Sequence, residues 1–140
     1  MAYLQATDVP GDIVQDYNVK ICVDSYKLKA PTGIALTDFQ VLGQPVKLNG
    51  ANMEFVQDGD EANAIGIVIS KALLTVATAG VSTEQYAVLV RGPARLNQTK
   101  FPEDDCNGDS FTIATLATAY EGLGDINVVA ESGVSFTQTS

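Results

Sequence analysis

Val19, Ile21 and Val23 alternate with Lys20, Cys22 and Asp24, and this period of two is the mark of a half-buried strand. Pro31-Thr32-Gly33 punctuates it. The stretch 38–43 then leads into Gln44-Pro45-Val46-Lys47-Leu48, a short strand opened by a proline, as a first or edge position allows. Asn49-Gly50 is a two-residue hairpin signal, and Met53-Glu54-Phe55-Val56 is the returning strand. Next comes Ala64-Ile65-Gly66-Ile67-Val68-Ile69, apolar on both faces and therefore central. Gly66 within it predicts a bulge or the close approach of another backbone. Leu73-Leu74-Thr75-Val76 extends the sheet, residues 80–84 make a turn, and Tyr86-Ala87-Val88-Leu89-Val90 returns as a second buried strand. Gly92-Pro93 ends that strand, because proline has no N–H for the ladder.

Beyond Phe101 the chain becomes polar and acidic. Phe111, Ala114, Leu116, Ala117 and Tyr120 fall largely on one helical face, with Asp109 or Ser110 as the cap and Gly122 as the stop. Ile126-Asn127-Val128-Val129-Ala130 is the last strand expected, and 134–140 reads as a polar tail. Residues 1–18 keep neither period: Asp8, Pro10-Gly11, Asp12 and Asp16 break up Tyr3, Leu4, Val9, Ile13 and Val14. They read as an arm that orders on a partner, or as a frayed terminus. The division is thus an arm at 1–18 and one domain at 19–140, mainly β (α+β) with one short helix.

Composition narrows the function. The chain has 140 residues, enough for one domain with a real core but short for a two-domain enzyme. Lys and Arg number 8 against 17 Asp and Glu, a net charge of -9, which argues against nucleic acid or an anionic membrane as partner. Histidine is absent, removing the commonest general base and metal ligand. Cys22 and Cys106 form no CxxC pair and read either as one long-range disulfide or, the reading a reducing cytoplasm favours, as two free thiols. The first eight residues lack the basic and apolar regions of a signal peptide, so synthesis in the cytosol is expected, with use there or on something assembled there.

Candidate chemistry is sparse. Two carboxylate clusters stand out, Asp58-Gly59-Asp60-Glu61 and Glu103-Asp104-Asp105 with Asp109. As a calcium loop the first fails at Ala62 and Ile69, where ligands belong. In the second, Asn107 and Asp109 fall in place after Asp105, but Ser110 replaces the glycine and Leu116 the bidentate acid. Both read as solvated turns. No Gly-Lys-Ser/Thr phosphate loop exists, and Gly122-Leu123-Gly124 follows a helix instead of opening one. Ser25, Ser70, Ser82 and Ser110 lack a histidine, and Lys71 is at a strand end. No catalytic residue, metal, cofactor or small-molecule substrate is expected. Arg91 and Arg95, about Gly92-Pro93, read either as a solvated strand end or as partners for carboxylates across a subunit interface.

Three segments in order resemble the head decoration proteins of tailed bacteriophages, the relatives of the lambda head decoration protein D. They are Leu42-Gly43-Gln44-Pro45-Val46, then Asp58-Gly59-Asp60-Glu61-Ala62-Asn63-Ala64-Ile65-Gly66-Ile67, then Val88-Leu89-Val90-Arg91-Gly92-Pro93-Ala94. In that family an acidic turn enters a strand of the type Ala-x-Gly-Ile, and a second strand ends in Arg-Gly-x-Ala before a polar segment and a helix. The resemblance covers about residues 40–125, and the chain departs from it before Leu36 and after Ala130. It implies a small β-barrel or tulip-like domain that forms a homotrimer on the outer surface of the virion head. There it would clamp the major capsid protein against internal pressure. The arm would order on the capsid by strand addition, with Tyr3, Leu4, Val9, Ile13 and Val14 as its contacts. A non-enzymatic binding module, such as a phage fibre or adhesion component, is the alternative. It commonly presents aromatic platforms, and this chain has no Trp. A carboxylate-dependent hydrolase is a third reading, for which no constellation is visible.

Overall fold

In the computed structural model residues 22–130 are described. Nine strands and one α-helix are found among them: β1 (Cys22–Lys29), β2 (Leu36–Gln40), β3 (Pro45–Asn49), β4 (Asn52–Phe55), β5 (Gly66–Val68), β6 (Leu73–Val76), β7 (Val81–Arg91), β8 (Ala94–Asn97), α1 (Ile113–Glu121) and β9 (Ile126–Val129). Five of the strands close a barrel in the order β1-β4-β3-β5-β7, while β2 pairs with β6 and β8 with β9. The expected small β-barrel with one short helix is therefore the fold.

The two apolar runs owe their composition to their place in the barrel. In the β5–β7 ladder Ile67 pairs with Leu89 and Val68 with Val88. Ile67 and Leu89 turn into a core shared with Leu42, Leu96, Phe101, Leu116 and Tyr120. Val68 and Val88 turn into another, with Leu28, Val46, Met53 and Phe55. Strand side chains alternate between faces, so a ladder covered on both sides must be apolar throughout. Gly66 answers to the close approach its sequence predicts. A Cβ there would lie 2.7 Å from Val88 Cγ1 and 3.2 Å from the Leu89 carbonyl oxygen.

Several expectations shift. The hairpin turn is Gly50-Ala51, one residue later than expected, because Asn49 still pairs with Asn52. Gly50 takes the left-handed conformation the turn needs, with φ of +63°. Leu73–Val76 does not extend the barrel but joins β2 in its own sheet. Residues 80–84 are not a turn: β7 begins at Val81 and runs along β1, pairing Lys27 with Gln85 and Lys29 with Val81. This half looks loop-like in sequence because it is polar. Its buried Ser82 is satisfied, accepting from Leu28 N–H on β1 at 3.0 Å and donating to the Glu84 carbonyl of its own strand at 2.6 Å. The helix starts at Ile113, so Asp109 and Ser110 precede it, and the side chain of its N-cap residue, Thr112, makes no capping bond.

Past β7 the chain turns through a cis Gly92–Pro93 peptide. Gly92 N–H donates to the Gly124 carbonyl at 2.9 Å and Ala94 N–H to that of Asp125 at 3.0 Å, which brings β8 beside β9. Helix α1 bridges these parallel strands and buries Leu116 and Tyr120, the latter edge-on to Phe101 with ring centroids 5.3 Å apart. A Cβ on Gly92 would fall within the Asp125 carbonyl. Gly92→Ala should therefore lower stability by about 3 kcal/mol, as core overpacking against rigid backbone does. Denaturant melts would check this, with Leu48→Ala at an exposed position expected within about 0.5 kcal/mol of the parent.

Candidate functional site

The two acidic clusters, 47 residues apart in sequence where they touch, meet in space. Asp105, only 3% exposed, accepts from Asp58 N–H through Oδ2 at 2.8 Å. Its Oδ1 accepts from the N–H groups of Asn107 at 2.8 Å and Asp109 at 2.9 Å. Glu61, 4% exposed, takes Gly59 N–H on Oε1 at 2.8 Å and Thr112 N–H on Oε2 at 2.7 Å. These are not two solvated turns. Asp105 and Glu61 are buried and serve as acceptors for backbone donors of the loops and of the helix entry. A carboxylate accepts without donating, so one side chain can satisfy several orphan N–H groups at once.

The rest of the cluster is more exposed. Asp60 forms an ion pair with Lys47 on β3 and accepts from the Asn63 side chain, which together hold its carboxyl below the usual range. Burial is the largest single influence on Glu61 and works against its charged form, but the N–H groups of Thr112, of Glu61 itself and of Gly59, with the hydrogen bond to Asp58, together hold its pKa below the ordinary 4.5. Asp58, exposed beside them, is raised, first by its hydrogen bond with Glu61, then by desolvation, then by the negative charge of Glu61, Asp105 and Asp109.

The arrangement does structural chemistry. A carboxylate held by backbone N–H groups weakens those bonds on taking a proton, so Glu61, whose pKa is lowered, is a poor general base. Among the described residues no group of three or more His, Cys, Asp or Glu could hold a metal ion. Cys106 carries a free thiol; burial, with Asp105 adding to it, pushes its pKa up to about 12, which suppresses the reactive thiolate. Ser70 Oγ accepts from Ala87 N–H at 2.7 Å, and Lys71 is exposed.

Arg91 ends β7 and is exposed, Arg95 lies half-buried in β8, and both are already engaged within the chain. Tyr3, Leu4, Val9, Ile13 and Val14 lie outside the described residues. Two buried polar groups carry no sequence signal at all: Gln44 Oε1 and Tyr120 Oη have no hydrogen-bond partner among the described residues. Gln44 Nε2 makes only a long bond, 3.4 Å, to the Asp104 carbonyl.

Glu61→Gln keeps one acceptor but sets an NH2 group against a backbone N–H. It should cost about 2 kcal/mol at neutral pH, the penalty of an unsatisfied buried donor. The folded-state pKa of Glu61 lies below 4.5, so its contribution is complete above that pH and is lost as pH falls through the folded value. Acid titration of stability should accordingly show a shallower acid limb in Glu61→Gln than in the parent.

Compared with known proteins, the chain matches no family model, no curated protein and no solved structure.

Proposed function

We propose that this chain is a capsid decoration protein, which binds the expanded phage head from outside as a homotrimer and cements the major capsid protein lattice. The observation that supports this best is how the three resembling segments meet. Gly43 N–H donates to the Val68 carbonyl at 2.7 Å, Val68 N–H to that of Gln44 at 3.0 Å, and Ile65 N–H to that of Val46 at 2.9 Å. Ile67 in turn pairs with Leu89. Segments far apart in sequence thus form one continuous strand layer, with the acidic turn fastened to the helix entry through Glu61. Stretches that make up a single structural unit are a firmer basis for a resemblance than scattered short matches.

The role asks for no catalytic group. A trimer that spans several shell subunits gains avidity from simultaneous contacts, and its job is met by buried area and shape. The net charge of -9 disfavours the packaged nucleic acid as its ligand. Contact with the lattice falls to the arm at Tyr3, Leu4, Val9, Ile13 and Val14, with Arg91 and Arg95 near the subunit contact.

Purified protein mixed with expanded, undecorated heads should bind them and raise their resistance to disruption. Absence of binding in every expansion state would sink the proposal. Ile13→Asp with Val14→Asp should weaken head binding by at least about tenfold while leaving the melting temperature unchanged. Normal binding by that variant would remove the arm from the contact.

A further inference from the structure

A cleft of about 420 Å³ is lined by 37–40 of β2, by 102–104 of the loop before α1, and by Leu42 and Gln44 from the segment that leads into β3. Three of its lining residues are acidic, Asp38, Glu103 and Asp104, and none is Lys or Arg. Among the described residues the Asp38 carboxylate takes one bond, from Thr75 Oγ1 at 3.4 Å, and that of Asp104 one, from Ser110 Oγ at 3.3 Å. Both bonds are long, and neither carboxylate has an ion-pair partner among the described residues. Glu103 is already engaged within the chain, and its charge adds to the local field.

Carboxylates alone do not make a site, since a chain with a net charge of -9 carries them over much of its surface. What singles out this cleft is Gln44, only 4% exposed. Its backbone is used up, the N–H donating to the Val41 carbonyl at 3.1 Å and the carbonyl accepting from Val68 N–H at 3.0 Å. The side chain lies against the 102–104 wall, with Nε2 3.4 Å from the Asp104 carbonyl, and Oε1 has no partner among the described residues. A buried acceptor without a donor is costly and rare. The long Nε2 bond holds the amide weakly, and the last torsion of a glutamine is broad, so Oε1 can turn to a donor in the cleft.

Such a lining calls for a ligand that donates and is positively charged. A metal ion does not fit: among the described residues no group of three or more His, Cys, Asp or Glu could hold one. An ammonium is a compact point charge that keeps its water strongly. A guanidinium is planar and weakly hydrated, and its fork of N–H groups can serve the Gln44 amide while its charge lies among the carboxylates. Phe39 adds an aromatic surface, half-buried and at 80° to the Phe55 ring, and guanidinium groups stack on such rings. The volume admits that group together with its alkyl stem.

We infer that this cleft binds a guanidinium group, with the Gln44 amide as the buried acceptor and Asp38 and Asp104 as the counter-charges. The chemistry is the same in a free guanidine and in an arginine presented by another protein. The cleft and the decoration reading are independent, and neither rests on the other.

Titrating the isotope-labelled full-length protein with ethylguanidine and, separately, with acetyl-Gly-Arg-Gly-amide tests this by NMR. Saturable shifts centred on the Gln44 side-chain NH2 and on 37–44 and 102–104 are expected, and they should weaken as salt rises. Tighter binding of ethylguanidine assigns a free guanidine as the ligand; tighter binding of the peptide assigns an arginine of another protein. Citrulline in place of the peptide's arginine keeps the shape without the charge and should weaken binding at least about tenfold, and lysine should also bind less well. Gln44→Leu should weaken binding at least about tenfold, as should Asp38→Asn with Asp104→Asn. Neither variant should lower the melting temperature: leucine removes the orphaned amide, and asparagine accepts the left-handed backbone at Asp38, where φ is +48°. Absence of saturable binding would overturn the inference. So would equal affinity for the citrulline or lysine peptide, or binding that survives Gln44→Leu.

Discussion

Pairing of β5 with β7 is the constraint on which the rest of the domain hangs. Its short ladder places Ile67 and Leu89 in one core and Val68 and Val88 in the other. One pair of strands therefore holds two apolar clusters in register. Helix α1, β8 and β9 cover one face; β2 and β6 cover the other. A residue slip in this ladder would exchange the faces and empty both cores at once. Gly66 lets the pairing close, since any larger residue would push against Val88 and the Leu89 carbonyl.

Polar fastening complements that apolar centre. Asp105 and Glu61 collect N–H groups from residues 58, 59, 107, 109 and 112, where no regular ladder runs. In this way the loops and the helix entry become an extension of the barrel wall. Buried acceptors of this kind are worth more for fixing geometry than for raw stability, because their desolvation offsets much of the gain. The proposed particle-bound role would ask for that geometry: a rigid outer body on which contact segments can be mounted.

How much of this was readable in the sequence follows from range. Residues 64–69 and 86–90 declare themselves because burial on both faces leaves an uninterrupted apolar run. Pro45 at the head of β3 and the turn after Asn49 were legible from local backbone chemistry, to within a residue. β2 escaped because Asp38 and the register slip break its alternation. The first half of β7 escaped because it is polar, its one buried polar side chain satisfied by Leu28 and Glu84. The joining of the acidic clusters was invisible, since nothing local distinguishes a carboxylate that accepts a distant N–H from one in water. The helix cap was misplaced for the same reason: Glu61 serves Thr112 from 51 residues away.

β1 is the first described strand, yet the longer of its two ladders, that with β7, comes late. It pairs with β4 and with β7, and Leu28 binds Ser82 across 54 residues. Closing a loop of that length costs about 3.5 kcal/mol of chain entropy beyond a constant, before any contact repays it. The barrel is thus a late event on the ribosome and in refolding: β3 and β4 can form their hairpin early, but the ring stays open until residue 91 has emerged. Until then β1 is an unclaimed edge, and crowded nascent chains compete with β7 for it. Yield of correctly shut barrels should depend on chain concentration more steeply than the modest size of the domain would suggest.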